Sequence, residues 1–448
     1  MSNVIVFMSD EHNPRYASPY GHPFVDTPSM QRLADNGTVF EHAYCPSPLC
    51  VPSRSAFLTG KRAHAVQAYG NTRNGIPPET NGLGALLAEH GVHTAFGGKV
   101  HAYRPVDELG FSETLAANDE GFVFDPAQER TPLAVRDGSA QRLSQYGPRD
   151  EPWGRDVEYM DAAVAWLTRR APEIDRPWAL YVNLVKPHFP HYCTQTLWDP
   201  YRDHGDLPEH GVEADTAQHP YAVDLRTHFE LHDVPEEHVR GLRRGYYACV
   251  TFIDQQLGRL LSVLETSGLA DTTNLIYTSD HGEMLGKFGL WWKCNLLEDA
   301  ARIPCIAAGP DFPAGQRIAT PVDLHDVQAS VFSVTGAARP AEWNGTTLAS
   351  IAPNDTERVV FSEYHGHGTR AGSFMVRRGN WKLIHNIAAP DQLFDLAADP
   401  EELESRLTTN PEIAADLSGV LTDICDPVAV QQQAEAFWQM QVAQFGPR

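Results

Sequence analysis

The chain has no apolar run approaching the roughly 18 residues that crossing a bilayer requires. Its start, MSNVIVFMSDEH, lacks a basic n-region, and its apolar stretch is too short for a secretory leader. It reads as a first β-strand, so the expected location is cytoplasmic, with no membrane partner. Positive charge is scarce: 35 Lys and Arg stand against 58 Asp and Glu, a net charge of −23. A nucleic-acid binder would carry a basic face, so no nucleic-acid partner is expected. Cysteines are few and scattered, at 45, 50, 193, 249, 294, 305 and 425, with no Cys-x-x-Cys. An odd number without such spacing argues against a disulfide framework and a thiolate zinc site. Internal repeats are absent. What remains is a globular composition, 42% hydrophobic and 21% charged, in a chain of 448 residues, too long for one small core.

The order of elements is legible from periodicity. NVIVFMSD is a continuous apolar run ending in an acid, which fits a strand buried on both faces of a parallel sheet. TPSMQRLADNG predicts a short helix with Thr27 as N-cap, Pro28 at the first position and Gly37 at its end. GLGALLAEHG and VHTAFGGKVH read as helix, stop, strand and loop. Residues 156–170 predict an amphipathic helix facing inward through Val157, Met160, Val164 and Leu167. PWALYVNLVKPHFP reads as strand and loop. Residues 236–266 carry a long helical stripe of Leu242, Tyr246, Val250, Ile253, Leu257, Leu260 and Leu264, and NLIYTSDHG is the next strand. Such alternation predicts an α/β fold, with a mostly parallel central sheet flanked by helices.

Past residue 350 the texture changes. RVVFSEY, SFMVRRGNWKLIHN and QLFDL predict a smaller antiparallel sheet with an Arg-Gly-Asn turn in its middle pair. Helices are expected at 410–422 and 428–444. The expected division is a catalytic domain at 1–350 and an α+β subdomain with a helical tail at 351–448. Residues 193–235, rich in His, Asp and Pro, read as a long insertion loop near a site.

Four strand ends carry chemistry: Asp10 and Glu11, Lys99 and His101, Lys186 with His188 and His191, and Asp280 and His281. In open parallel sheets ligands sit beyond the strands' carboxyl ends. Carboxylates with an imidazole suit a hard divalent cation; acids after strands are otherwise helix caps. Cys50 is the odd residue. A lone cysteine is usually a small core filler, but Pro48 and Pro52 stiffen its surroundings, Arg54 places a cation nearby, and a helix start favours an anion.

Cys50-Val51-Pro52-Ser53-Arg54, followed by Leu58-Thr59-Gly60, matches every fixed position of the sulfatase signature Cys-x-Pro-Ser-Arg-x-x-x-Leu-Thr-Gly. SDEH, GKVHAY, KPHFP, SDHGEMLGKFGLWWK and RRGNWKLI with QLFDLAADPEE also resemble the formylglycine-dependent sulfatases of the alkaline-phosphatase-like superfamily. Around Asp280–Lys293 the pattern is similar to bacterial choline sulfatases, arylsulfatases and phosphonate monoester hydrolases. The resemblance thins at 105–155 and 193–235.

The resemblance implies that a separate formylglycine-generating enzyme oxidises Cys50 to an aldehyde, whose hydrate is the nucleophile. One hydroxyl attacks sulfur; the other then expels sulfate by collapsing to the aldehyde. It implies one divalent ion held by Asp10, Asp280, His281 and the modified Cys50. Glu11 stands where a second Asp is commoner, which leaves open whether it ligates directly. Calcium is the usual ion, with manganese or magnesium as alternatives. Arg54 and Lys99 would fix the diol, His101 would be the base that triggers collapse, and His188 and Lys293 would bind sulfate and protonate the leaving alcohol. The implied activity is a sulfuric ester hydrolase acting on a small organic sulfate ester. A phosphonate monoester or phosphodiester hydrolase using the same site is the alternative.

Several residues carry weaker expectations. Asn71 and Arg73 follow the signature helix within reach of substrate. Lys186 reads as a surface or supporting residue, His191, His365 and His367 as loop or specificity residues, and Trp291 and Trp292 as core or pocket flank. Cys45 reads as packing. The tail stripe of Phe437, Trp438, Val442 and Phe445 either packs on its own core or meets a neighbouring subunit, and a homo-oligomer is expected from it.

Overall fold

Val4, Ile5, Val6, Phe7 and Met8 are all buried, so the first strand is covered on both faces. The computed structural model describes residues 1–71, 76–77, 79–102, 104–118 and 133–445. That strand, β1 (Asn3–Asp10), lies within an eight-stranded sheet. The other strands are β2 (Gly37–Phe40), β3 (His93–Lys99), β4 (Glu113–Asn118), β5 (Trp178–Pro187), β6 (Thr273–Ser279), β7 (Cys305–Ala308) and β8 (Gln316–Ile318). Their order is β8-β2-β7-β6-β1-β5-β3-β4. Only β7 runs against the rest, pairing antiparallel with β2 and β6, so the sheet is mostly parallel as expected.

The helices that matter for the site are α1 (Pro28–Asp35), α2 (Cys50–Thr59), α3 (Asp156–Arg169), α4 (Glu236–Thr266), α5 (Pro411–Ile424) and α6 (Pro427–Phe445). All seven apolar positions read along α4 are buried, each contributing roughly 1.5–3 kcal/mol of transfer free energy. On α3 the buried face differs from the expected one. Val157 is exposed and Val164 half-buried, while Tyr159, Met160, Ala163, Trp166 and Leu167 face the sheet. The aromatic residues outweigh the valines in apolar area, which rotates the buried stripe.

Helix α1 starts at Pro28 as expected but stops at Asp35, and Gly37 opens β2 instead of ending the helix. The Thr27 hydroxyl does not cap it; that hydroxyl is paired with Ser18. Asp254, from α4, accepts the Ser29 and Met30 amides at 3.0 and 2.7 Å and caps the helix from across the core.

A separate four-stranded meander, β9 (Val359–Tyr364), β10 (Ser373–Arg378), β11 (Trp381–Asn386) and β12 (Gln392–Asp395), is antiparallel throughout. Gly379 turns β10 into β11 at φ 56°. Helices α5 and α6 pack on this sheet. Phe437 and Trp438 are buried in that core, and Trp438 Nε1 donates to the His365 carbonyl at 3.1 Å. Phe437 and Trp438 thus pack on the meander beneath them, while Val442 is half-buried and the Phe445 side chain lies outside the described residues. Residues 193–235 are not one long loop: they hold the helices Gln195–Trp198 and Pro220–His228. Local polarity hid these short helices; the first buries no residue, and the second buries Tyr221, Ala222 and Leu225. Among the described residues no helix is long and apolar enough to cross a membrane.

Candidate functional site

Parallel pairing brings the chemical strand ends to one edge. Asp10 is in register with Pro187 of β5, and Ser9 with Ser279 of β6, so Asp10, His188 and Asp280 become neighbours. Lys99 ends β3 on the same edge. It follows a bulge at Gly98, where φ is 104° and a Cβ would lie 1.8 Å from the Asn183 carbonyl oxygen. Only glycine allows β3 to approach β5 so closely there.

Cys50 is the first residue of α2, with Leu49 as N-cap, and the whole helix is buried. Its thiol lies 3.2 Å from His281 Nε2. One turn along, Arg54 is buried and forks between both strand-end acids. Nε donates to Asp280 Oδ2 at 2.8 Å, Nη2 to Asp10 Oδ2 at 3.0 Å and Nη1 to the Lys99 carbonyl at 3.0 Å. Lys99 Nζ lies 2.8 Å from Asp10 Oδ2. The Ser53 hydroxyl donates to the Asp280 carbonyl at 2.6 Å. The signature thus ties the start of α2 to the ends of β1 and β6.

Lys293 Nζ sits 2.8 Å from His188 Nε2 and 3.1 Å from Glu11 Oε1. His188 Nε2 is also 3.4 Å from Glu11 Oε2. Glu11, His101, Trp292 and Cys294 all have left-handed backbone, at φ 68°, 44°, 67° and 76°. Each such residue costs of order 1–3 kcal/mol. Four around one cleft mark a site whose geometry the fold holds against local preference.

The donor set fits a divalent cation. Asp10, Cys50, Asp280 and His281 each offer one ligand atom within 4.8 Å of the others, and Asp10, Glu11 and His188 form an adjoining trio. Asp10 Oδ1 is buried with no hydrogen-bond partner among the described residues, which is costly unless a cation meets it; Glu11 beside it is met by Lys293 at 3.1 Å and His188 at 3.4 Å. The His281 Nδ1–H donates to the Gly282 carbonyl at 3.1 Å, which turns Nε2 toward the acids as the atom that would meet a cation.

The electrostatics follow from burial and neighbours. Burial favours neutral Asp10, but Lys99, His188 and Arg54 outweigh it and hold the carboxyl well below its ordinary range. Burial pushes Glu11 up to about 7 despite Lys293 and His188. Burial would also raise the Cys50 thiol, yet Lys293, Lys99 and His281 pull it well below its ordinary value. The position of Cys50 Sγ is therefore one where negative charge is stabilised.

A cleft of about 290 Å³ opens above these groups, lined by Cys50, Lys99, His101, His188 and Lys293 on its inner side. Asn71 also lines it and accepts the Val51 amide at 3.0 Å, while Arg73 lies outside the described residues. Trp292 and His367 line it too; Trp291 is buried core. Lys186 donates to the Pro190 carbonyl and His191 is buried, neither lining the cleft. His365 instead pairs with Glu363 at 2.8 Å. Cys45 packs in the core. Sequence reading missed Arg136, Arg142, Phe189 and Phe229, which also line the cleft. The arginines lie where family resemblance is thin, and periodicity carried no signal for them.

Fold and site together define an α/β protein of alkaline-phosphatase-like architecture, with a buried acid cluster facing a ring of cations. Residues 2–337 match the profile of the Sulfatase family. The chain belongs to the sulfatase family and is a sulfuric ester hydrolase. It is 32% identical to a choline-sulfatase of Rhizobium meliloti (strain 1021) over 97% of this chain and 88% of that protein. It is 25% identical to arylsulfatase K of Danio rerio, covering 99% and 87%. Among solved structures it resembles a phosphonate monoester hydrolase of Agrobacterium radiobacter. The TM-score is 0.74 at 20% identity, covering 97% and 96% of the two chains.

Proposed function

We propose that this cleft hydrolyses a small organic sulfate ester to an alcohol and inorganic sulfate, with Cys50 acting as formylglycine after oxidation by a separate maturation enzyme. The observation that carries the reading is the setting of Cys50 Sγ. It is 3.2 Å from His281 and shares its cleft with Lys99, His101, His188 and Lys293. Hydrated formylglycine supplies a nucleophilic hydroxyl and a second hydroxyl that releases sulfate without attack by water. A divalent ion, calcium first and manganese or magnesium as alternatives, would lower that hydroxyl's pKa and screen the sulfate charge. Asp10, Asp280, His281 and residue 50 would hold it, with Glu11 beside them.

The chain's own groups have distinct tasks. Arg54 holds both Asp10 and Asp280 in place; with Lys99 and His188 it keeps Asp10 well below its ordinary pKa, while at Asp280 it opposes the burial that raises the carboxyl. Lys99 and Lys293 stabilise negative charge developing on sulfate oxygens, each worth about 10²–10³ in rate. His188, touching Lys293 at 2.8 Å, protonates the leaving alcohol. His101 takes the proton that triggers sulfate release. Residues 1–350 carry all of these groups, while the subdomain 351–448 contributes His367 to the cleft wall. All seven cysteines are unpaired, which supports a reducing, cytoplasmic setting.

A phosphonate monoester or phosphodiester hydrolase is the second reading, favoured by the fold shared with the Agrobacterium enzyme. Those substrates present one negative charge, as a sulfate monoester does. Turnover of sulfate esters against phosphonate monoesters and phosphate diesters, with metal analysis of the same sample, separates the two. Faster turnover of the phosphorus esters overturns the sulfatase preference.

A further inference from the structure

The outer side of the cleft holds two arginines that the sulfate chemistry does not use. The Arg142 guanidinium carbon lies 4.9 Å from the Phe189 ring centre and 5.5 Å from that of Trp292. Phe229 packs against Trp292 with ring centres 4.9 Å apart. Arg142 therefore already lies against the aromatic wall where a quaternary ammonium would have to settle, and it puts like charge there.

Arg136 is oriented by a chain of hydrogen bonds whose directions are mutually consistent. His228 Nδ1 faces the Ala134 carbonyl at 2.5 Å, an acceptor only, so this nitrogen carries the hydrogen. His228 Nε2 then accepts from His367 Nδ1–H at 2.9 Å. His367 Nε2 is left as a lone pair facing Arg136 Nη1 at 3.5 Å. The Arg136 amide closes the loop on the His228 carbonyl at 2.8 Å. Both histidines are buried, so their tautomers are set by the fold rather than by water. Burial, then Arg136, His228, Arg142 and Lys293, push His367 well below its ordinary pKa, a sign that these cations converge on one wall. Lys99, Lys293, Arg136 and Arg142 together line the cleft.

We propose that Arg136 and Arg142 recognise a second anionic group, a carboxylate or another sulfate, on the alcohol part of the ester. The substrate is then an acidic sulfate ester carrying at least two negative charges, not a neutral or cationic one. This deepens the sulfatase reading above and rests on it. The acidic surface of a chain with net charge −23 repels such a substrate at long range, so recognition depends on the local cations.

The test compares four esters on the matured, metal-loaded enzyme. Two are doubly charged, 4-carboxyphenyl sulfate and 1,4-phenylene disulfate. One is neutral beyond its sulfate, 4-carbamoylphenyl sulfate, and one is cationic, choline sulfate. We expect kcat/KM for the better doubly charged ester to exceed that for the carbamoyl ester about ten- to hundredfold, as charge-assisted hydrogen bonds allow. Which of the two leads tells carboxylate from sulfate. That ratio should collapse toward one in Arg136→Gln and in Arg142→Gln, and recover in part in Arg142→Lys. Choline sulfate as the best substrate, or a ratio unchanged in both glutamine variants, overturns the proposal. Binding of 4-carboxyphenyl sulfate to Cys50→Ser by calorimetry reads the arginines without turnover. Arginine-dependent binding with no hydrolysis of any ester upholds the inference and sinks the hydrolytic reading; no arginine-dependent binding sinks the inference.

Discussion

Arg54→Ala is the sharpest probe of how the signature is built. The variant loses charge-assisted hydrogen bonds to Asp280 at 2.8 Å and Asp10 at 3.0 Å, and one to the Lys99 carbonyl. Both carboxylates are fully buried, so water does not replace the guanidinium. Removing one member of a buried ion pair costs about 3–5 kcal/mol. Lys99 stays on Asp10 at 2.8 Å, so the loss falls mainly on Asp280 and the expected cost is about 4 kcal/mol. Arg54→Lys should lose roughly half of that, because a single ammonium does not fork between two carboxylates. Urea unfolding in the presence of a chelator measures both variants. Calcium a hundredfold above Kd should stabilise either protein by about 2.7 kcal/mol, and at one fixed concentration the gap should narrow because the variant, lacking the guanidinium that competes for both acids, binds the cation more tightly. An Arg54→Ala protein within about 1 kcal/mol of wild type without metal would refute the view that Arg54 neutralises this acid pair.

Four further outcomes are expected. Intact-protein mass spectrometry of active enzyme should show a mass lower by about 18 Da, from replacement of the thiol by an aldehyde oxygen, and Cys50→Ala should lack both shift and turnover; full activity without the shift would exclude formylglycine. Lys293→Met should lower kcat/KM for a sulfate ester about 10²–10³-fold with a much smaller change in melting temperature, and a loss of folding instead would reassign Lys293 to structure. Asp254, raised to about 6 by burial in spite of the Ser29 and Met30 amides that favour its charged form, holds its proton more tightly folded than unfolded. Its stabilisation is complete below about pH 3.8 and is lost as pH rises through about 6, a change of about 3 kcal/mol; Asp254→Asn should remove that slope from unfolding curves between pH 4 and 6. Trp438→Ala should destabilise by about 3–5 kcal/mol without changing the size measured by light scattering; a change in assembly would return the tail to an interface.

Much of the fold was legible because burial on both faces leaves long apolar runs. NVIVFMSD and NLIYTSDHG gave β1 and β6 with their terminal acids, and the stripe on α4 was read residue for residue. Boundaries were less legible. Thr27 looks like a cap in sequence, but the cap of α1 comes from Asp254, more than two hundred residues away. The inward face of α3 turned on aromatic packing that spacing alone does not rank. The tail stripe leaned toward an interface in sequence, and only the folded chain places the meander beneath Phe437 and Trp438.

By itself the sequence determined the family, through a signature whose Cys, Pro, Ser and Arg stand at fixed spacing, and it identified the strand-end residues that could carry charge. One helical turn from Cys50 to Arg54 is local geometry, so spacing suffices to read it. Tertiary structure decided what those residues touch. Parallel register set Asp10 beside Asp280. Long-range folding brought Arg136 and Arg142 from a segment without periodicity to face Trp292 and His367. The physical reason is that hydrogen-bond spacing within an element is set by the backbone, whereas a cleft between loops is set by what the whole chain packs against.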